Sequence, residues 1–221
     1  MAGKITALVV QKRNKERVNV FVDGEFAFGL AMIEALKLRK GQLLDDDEIA
    51  HLKALDEIEV AHERALHYLS YRPRSVAEVR SNLKEKYSDT AIEAVLERLE
   101  RAGLLDDEAF ARFWVDNREQ FGPRSERALR YELRQKGVPD SAIEAALSDL
   151  DEEDAAYRAA LSRVYRYAQA DEETFKKRLG GYLSRRGFSY ATVRDVLDRV
   201  WQELATQTDA PPHNKDMDLE A

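Results

Sequence analysis

Apolar residues cluster in Ile5–Val10, and Val18, Val20 and Val22 alternate with other residues. A period of two with β-branched residues predicts strands, with one face for the three valines. The polar run Lys12–Glu16 connects the two segments. Asp23-Gly24 predicts a tight turn, because both of its positions accept a positive φ. Glu25–Phe28 then reads as a short third strand. A three-stranded antiparallel β-meander is marginal alone, so its apolar face should lie on a helix, with Ala31–Leu38 and the segment after Asp45 as the candidates.

From Asp46 to about Leu204 the pattern changes to one apolar residue per helical turn, and it repeats. Arg72-Pro73-Arg74-Ser75 recurs fifty residues later as Gly122-Pro123-Arg124-Ser125. Val79 and Leu83 correspond to Leu129 and Leu133. Leu133–Gly137 corresponds to Leu183–Gly187, and Ile143 and Leu147 to Val193 and Leu197. Each copy should hold three helices. In the second they are expected over Asp107–Phe121, Ser125–Lys136 and Asp140–Leu150, with Ser125 and Asp140 as N-caps and Gly137 ending the middle helix. The predicted fold is mainly α: tandem three-helix repeats in an elongated, curved array, after a small N-terminal β-meander. The expected division is 1–57 for the meander plus a helix, 58–105, 106–154 and 155–204 for the repeats, and 205–221 for an acidic tail. That tail holds Pro211-Pro212, lacks periodicity and is expected to be disordered.

Composition narrows the function classes. With no cysteine among 221 residues, disulfides, thiolate metal sites and cysteine nucleophiles are excluded. Neither a signal-peptide core nor an apolar run long enough for a membrane span occurs, so a cytoplasmic protein is expected. The net charge is −7, unevenly spread: residues 106–154 hold 7 basic and 14 acidic groups, residues 155–204 hold 10 and 6. A protein held on duplex DNA by charge alone would be basic. Basic stripes here must act locally or face a protein.

Little catalytic chemistry is in view. His62-Glu63 with His67 resembles a zinc-protease helix, but five residues place the histidines about 140° apart instead of on one face. Asp45–Glu48 and Asp151–Asp154 stand where helices should begin and offset the macrodipole there. Gly3-Lys4-Ile5-Thr6 lacks the upstream glycine of a phosphate loop, and Gly180-Gly181 suits close helix packing better than phosphate binding. No catalytic residue, metal ligand or cofactor site is expected.

The cations are better organised. Arg124, Arg127, Arg130 and Arg134 fall within an arc of about 120° on one helix, and Lys136 closes it. A weaker version occurs as Arg74, Arg80 and Lys84 in the first repeat, and the third holds Lys176, Lys177, Arg178, Arg185 and Arg186; the second and third repeats carry the densest cationic faces and are expected to give the partner contact. One reading is a solvated face with intrahelical pairs such as Glu126–Arg130. The other is recognition of carboxylate or phosphate, for which arginine is suited. Tyr131 beside the stripe is either a stacking group or core.

The run Ala102-Gly103-Leu104-Leu105-Asp106-Asp107-Glu108-Ala109-Phe110-Ala111-Arg112-Phe113, then Phe121-Gly122-Pro123-Arg124 and Leu133-Arg134-Gln135-Lys136-Gly137, resembles the signature of the RecX family of RecA modulators. Tyr182–Phe188 matches in type, and Val20–Gly29 is similar to the extension of longer members. The resemblance covers about residues 58–204. It implies three tandem three-helix repeats and a non-enzymatic, monomeric regulator without cofactors. Such a protein lodges in the groove of the RecA nucleoprotein filament, curbs ATPase and strand exchange, and thereby modulates homologous recombination, DNA repair and the SOS response. Weak contact with single- or double-stranded DNA is a further expectation. The alternatives are a helix-turn-helix-like DNA-binding module and a plain helical scaffold.

Overall fold

The computed structural model describes residues 3–208 and divides into two compact units, residues 1–106 and 107–221. The first opens with strands β1 (Gly3–Val10), β2 (Arg17–Val22) and β3 (Glu25–Ala31), the short helix α1 (Met32–Ala35) and strand β4 (Leu43–Leu44). The Asp23-Gly24 turn has φ of 51° and 91°, as its residue types predict. Two features differ from the meander read in the sequence. β3 runs on to Ala31, and β4 adds a fourth strand beside β1, giving the antiparallel order β3-β2-β1-β4. β4 is two residues long, too short to leave a periodic signal. Ile5, Val18, Val20, Phe28 and Leu30 bury one face of this sheet together with Ala35, Leu44 and Leu52.

Leu52 belongs to α2 (Asp46–Leu69), which begins with a reciprocal capping box between Asp45 and Glu48. α2 passes straight through position 57, so its first half covers the sheet. Its second half, with Ala61 and Ala65, joins the core of α3 (Val76–Leu83) and α4 (Asp89–Arg101).

The second unit holds α5 (Asp107–Phe121), α6 (Glu126–Gln135), α7 (Asp140–Leu147), α8 (Glu152–Val164), α9 (Glu172–Arg185) and α10 (Tyr190–Thr208). The fifty-residue repeat is visible as packing. Val79, Leu129 and Leu179 are each fully buried, as are Leu83, Leu133 and Leu183 one turn later. Each apolar side chain removed from water contributes roughly 1.5–3 kcal/mol, so this pair recurring per copy is the seam of each three-helix core. The serines of the repeated Pro-Arg-Ser are buried N-caps: Ser75 accepts from the Glu78 amide and Ser125 from the Ala128 amide. Gly137, at φ 71°, ends α6 with its N–H donating to Arg134 and the Val138 N–H to Leu133, satisfying two carbonyls of the last turn.

Two details of the second repeat are corrected. α7 stops at Leu147, and its N-cap is Pro139, while Asp140 turns outward to pair with Arg134. The expected tail begins inside a helix, since α10 extends to Thr208; residues 209–221, with Pro211-Pro212, lie outside the described residues.

Candidate cationic interface

The arginine stripe of α6 forms, but acids of its own unit take up most of it. Arg130 bridges Glu126 of the same helix at 2.7 Å and Glu144 of α7. Those two partners push the guanidinium pKa further above its ordinary value. Arg134 Nε lies 2.9 Å from Asp140. Arg124 Nε lies 2.9 Å from Glu132, whose other oxygen accepts from Arg118 Nε and from the indole N–H of Trp114, both at 2.8 Å. Arg118 and Lys136 both stand over the Trp114 ring, at 4.7 and 4.1 Å from its centroid. Tyr131 is 66% exposed and is therefore not core.

The first repeat shows the same device. Arg80 of α3 is bonded through both terminal nitrogens to Glu93 of α4, the pairing that Arg130 makes to Glu144. Arg74 stacks on Tyr68 at 4.0 Å, and Lys84 is exposed. In the third copy the position of Arg130 is Gly180. A side chain there would press on Leu197 at 3.2 Å, so α9 and α10 approach closely and leave no place for an arginine bridge.

α9 differs electrostatically. Lys176 is paired with Glu172 and Asp198 at 2.8 and 2.6 Å. Lys177, Arg178 and Arg185 are exposed, and no carboxylate of the described residues lies within ion-pair distance of them. At 100° per residue Arg178 and Arg185 lie about 20° apart on the helix surface.

The end of α9 meets the start of α6 at a tight junction. Gly187, at φ 94°, ends α9, and a methyl group on it would collide with Ser125 Oγ and lie 2.9 Å from Ala128 Cβ. The close approach lets the Ser125 amide donate to the Arg186 carbonyl at 3.2 Å and Arg186 Nη1 donate to the Pro123 carbonyl at 2.9 Å. Arg127, exposed and the one stripe arginine with no carboxylate of the described residues at ion-pair distance, lies 3.5 Å from the Gly187 carbonyl through Nη2. The structure thus brings Arg127 to the Arg186–Gly187 end of α9, and commits Arg124, Arg130 and Arg134 to internal pairs. Sequence spacing places the stripe but cannot show its partners, because Glu144 and Asp140 belong to another helix. It also missed Arg158 and Arg163 of α8, which have no regular spacing with the stripe.

Other candidates are plain. His62 and His67 lie on α2, and among the described residues no cluster of three or more histidines or acids could hold a metal ion. Both acidic runs begin helices, with Asp45 and Asp151 as N-caps. No helix of the described residues is long and apolar enough to cross a membrane.

Comparison with known proteins is consistent across the chain. The profile of the regulatory protein RecX N-terminal domain matches residues 3–45, and those of the first, second and third RecX three-helix domains match residues 61–99, 106–147 and 151–197. The regulatory protein RecX of Bacillus licheniformis is 34% identical over 211 residues, spanning 93% of this chain and 79% of that protein. The one from Prosthecochloris aestuarii is 43% identical over 137 residues, 62% of this chain and 90% of that protein. A crystal structure of regulatory protein RecX superposes with a TM-score of 0.68 at 30% identity, covering 89% of this chain and 99% of the other. A RecX structure from Lactobacillus salivarius shares the fold, with a TM-score of 0.55 at 24% identity over 68% of this chain and 98% of the other.

Proposed function

Since the chain belongs to the RecX family of regulatory proteins, we propose that it regulates the RecA recombinase, binding in the groove of the RecA nucleoprotein filament as a cytoplasmic monomer and restraining ATP turnover and strand exchange without catalysing a reaction. The observation that carries the choice of surface is the contrast between α6 and α9. Ion pairs already made within a unit offer little to a partner, because both charges would have to be desolvated and re-paired. Unpaired cations offer steering and new pairs. We assign the filament contact to Lys177, Arg178 and Arg185, with Arg127 at the adjoining edge. Arg74, Arg80 and Lys84 of the first repeat are secondary, since Arg80 is held by Glu93.

A filament surface of mixed sign can accept this face and the acids around it. A helix-turn-helix reader would present α6 to the duplex, and there Glu126, Glu132, Glu144 and Asp140 compete with phosphate for the arginines. The test compares two variants in a RecA ATPase and strand-exchange assay, with folding checked by circular dichroism. Lys177→Gln/Arg178→Gln/Arg185→Gln should raise the concentration needed for half-inhibition by about tenfold or more, losing several charge contacts. Arg130→Gln/Arg134→Gln should change it less than about threefold, in keeping with surface pairs. The reverse ranking refutes the assignment. Titration on bare duplex at low and near-physiological salt completes it: tight binding that survives the higher salt, with no gain from RecA, would favour the DNA reader.

A further inference from the structure

The second unit holds a cleft of about 310 Å³, lined by the end of α5 and the Gly122-Pro123 turn, by Arg158, Ser162 and Arg163 of α8, by Tyr182 of α9 and by Arg186, its C-cap. Its charges are unbalanced. The acid in the lining is Glu119, and Arg158 engages it twice, through the carboxylate at 2.9 Å and the backbone carbonyl at 2.8 Å. Arg158 also holds Asp154 at 2.6 Å. Among the described residues no carboxylate lies within ion-pair distance of Arg163 or Arg186. Both instead stand over one ring, their guanidinium carbons 5.5 and 4.7 Å from the Tyr182 centroid. Of the Arg186 donors, Nη1 is engaged by the Pro123 carbonyl. The effect of the two cations reaches the phenol. Burial alone would raise the Tyr182 pKa, but hydrogen bonding with Ser162 and Arg163 and the charges of Arg186 and Arg163 together hold it below its ordinary value. Phe121, 74% exposed, adds a second aromatic surface to the same cleft.

Two guanidinium groups brought to one ring without a counter-charge repel each other, and an anion bound between them relieves that repulsion. A carboxylate side chain would answer the charge but leave the aromatic surfaces unused. A phosphate joined to a base answers both, since stacking on an aromatic side chain requires only a π face. We propose that this cleft is a nucleotide-phosphate site: Arg163 and Arg186, gathered over Tyr182, take the phosphate, and the exposed Phe121 offers the surface for the base. It needs no RecA, so it stands or falls separately from the filament reading.

The experiment is a titration of the full chain at low and near-physiological salt with three probes: a thymidine mononucleotide, a fluorescent oligothymidylate and an oligoglutamate of equal charge. The variants are Arg163→Gln, Phe121→Leu and, as a control away from the cleft, Arg134→Gln. Binding of the mononucleotide identifies a free nucleotide as the source of the phosphate, and binding of the oligomer alone identifies a strand. In either case Arg163→Gln should weaken binding about tenfold, as expected for a charge-assisted contact, and lower the slope of log affinity against log salt by roughly 0.7 for one phosphate of a single strand. Phe121→Leu should weaken it by about fivefold or more at unchanged salt slope, because stacking is lost and charge is kept. Equal or tighter binding of oligoglutamate, or nucleotide binding indifferent to Arg163→Gln, overturns the proposal.

Discussion

Gly187 shows how much one residue can carry. Its φ of 94° excludes ordinary side chains, and Ser125 and Ala128 fill the space where a Cβ would project. Gly187→Ala should cost about 2–4 kcal/mol, backbone strain and overpacking together, seen as a lower midpoint in thermal or urea denaturation. A change no larger than that of Gly24→Ala, where a Cβ meets nothing, would show that the junction gives way easily. Arg17 in β2 and Asp56 in α2 are a second instance, paired at 2.7 Å with side chains only 14% and 15% exposed. Arg17→Ala leaves a nearly buried carboxylate alone and should cost about 3 kcal/mol. Replacing both with apolar residues of similar size should recover most of it. Acid sensitivity follows from other carboxylates. Hydrogen bonds from Arg80, Arg130 and Tyr157 hold Glu93, Glu144 and Glu203 below their ordinary pKa of 4.5. A pKa lowered on folding means that the folded chain binds fewer protons. The stabilisation is therefore complete above about pH 4.5 and is lost as pH falls through the depressed values. Melting temperature should decline between pH 5 and pH 3, roughly across that carboxylate range, and Arg80→Gln/Arg130→Gln should flatten the decline. An unchanged slope would mean these exposed pairs add nothing.

At the scale of the element, what the sequence made legible follows from what periodicity encodes. Buried positions recur fifty residues apart because each helix must turn Val79, Leu129 or Leu179 inward, and the caps at Ser75 and Ser125 recur because each middle helix must begin. Charge partners leave no such trace: nothing about Arg130 in its own helix announces Glu144 in the next. The extent of α2 was hidden for a related reason. The expected break at position 57 has neither proline nor glycine, and the helix continues through it, with Leu52 facing the sheet and Ala61 the first three-helix core. Deleting residues 1–44 would uncover Leu52 and strand Asp56, while α3 and α4 would keep their own packing against the second half of α2. Hydrogen exchange on the truncated chain should therefore show loss of protection over about the first two turns and a half of α2, at 3.6 residues per turn, with the amides of α4 still slow. Uniform loss across α2 to α4 would mean that the sheet supports the whole unit.

At the scale of the whole molecule, the Ser125 amide has a consequence for synthesis. This buried N–H reaches its acceptor, the Arg186 carbonyl, only when a residue 61 positions later has been made and folded back. At about 5–20 residues per second the ribosome takes roughly 3–12 s to supply it. For the later part of that interval, from Leu150 to Arg186 and roughly 2–7 s at the same rate, the nascent second repeat has every residue of its apolar core but a backbone donor facing the place where its neighbour will be. It is thus a waiting intermediate, exposed to chaperones and proteases until the third repeat emerges to close it.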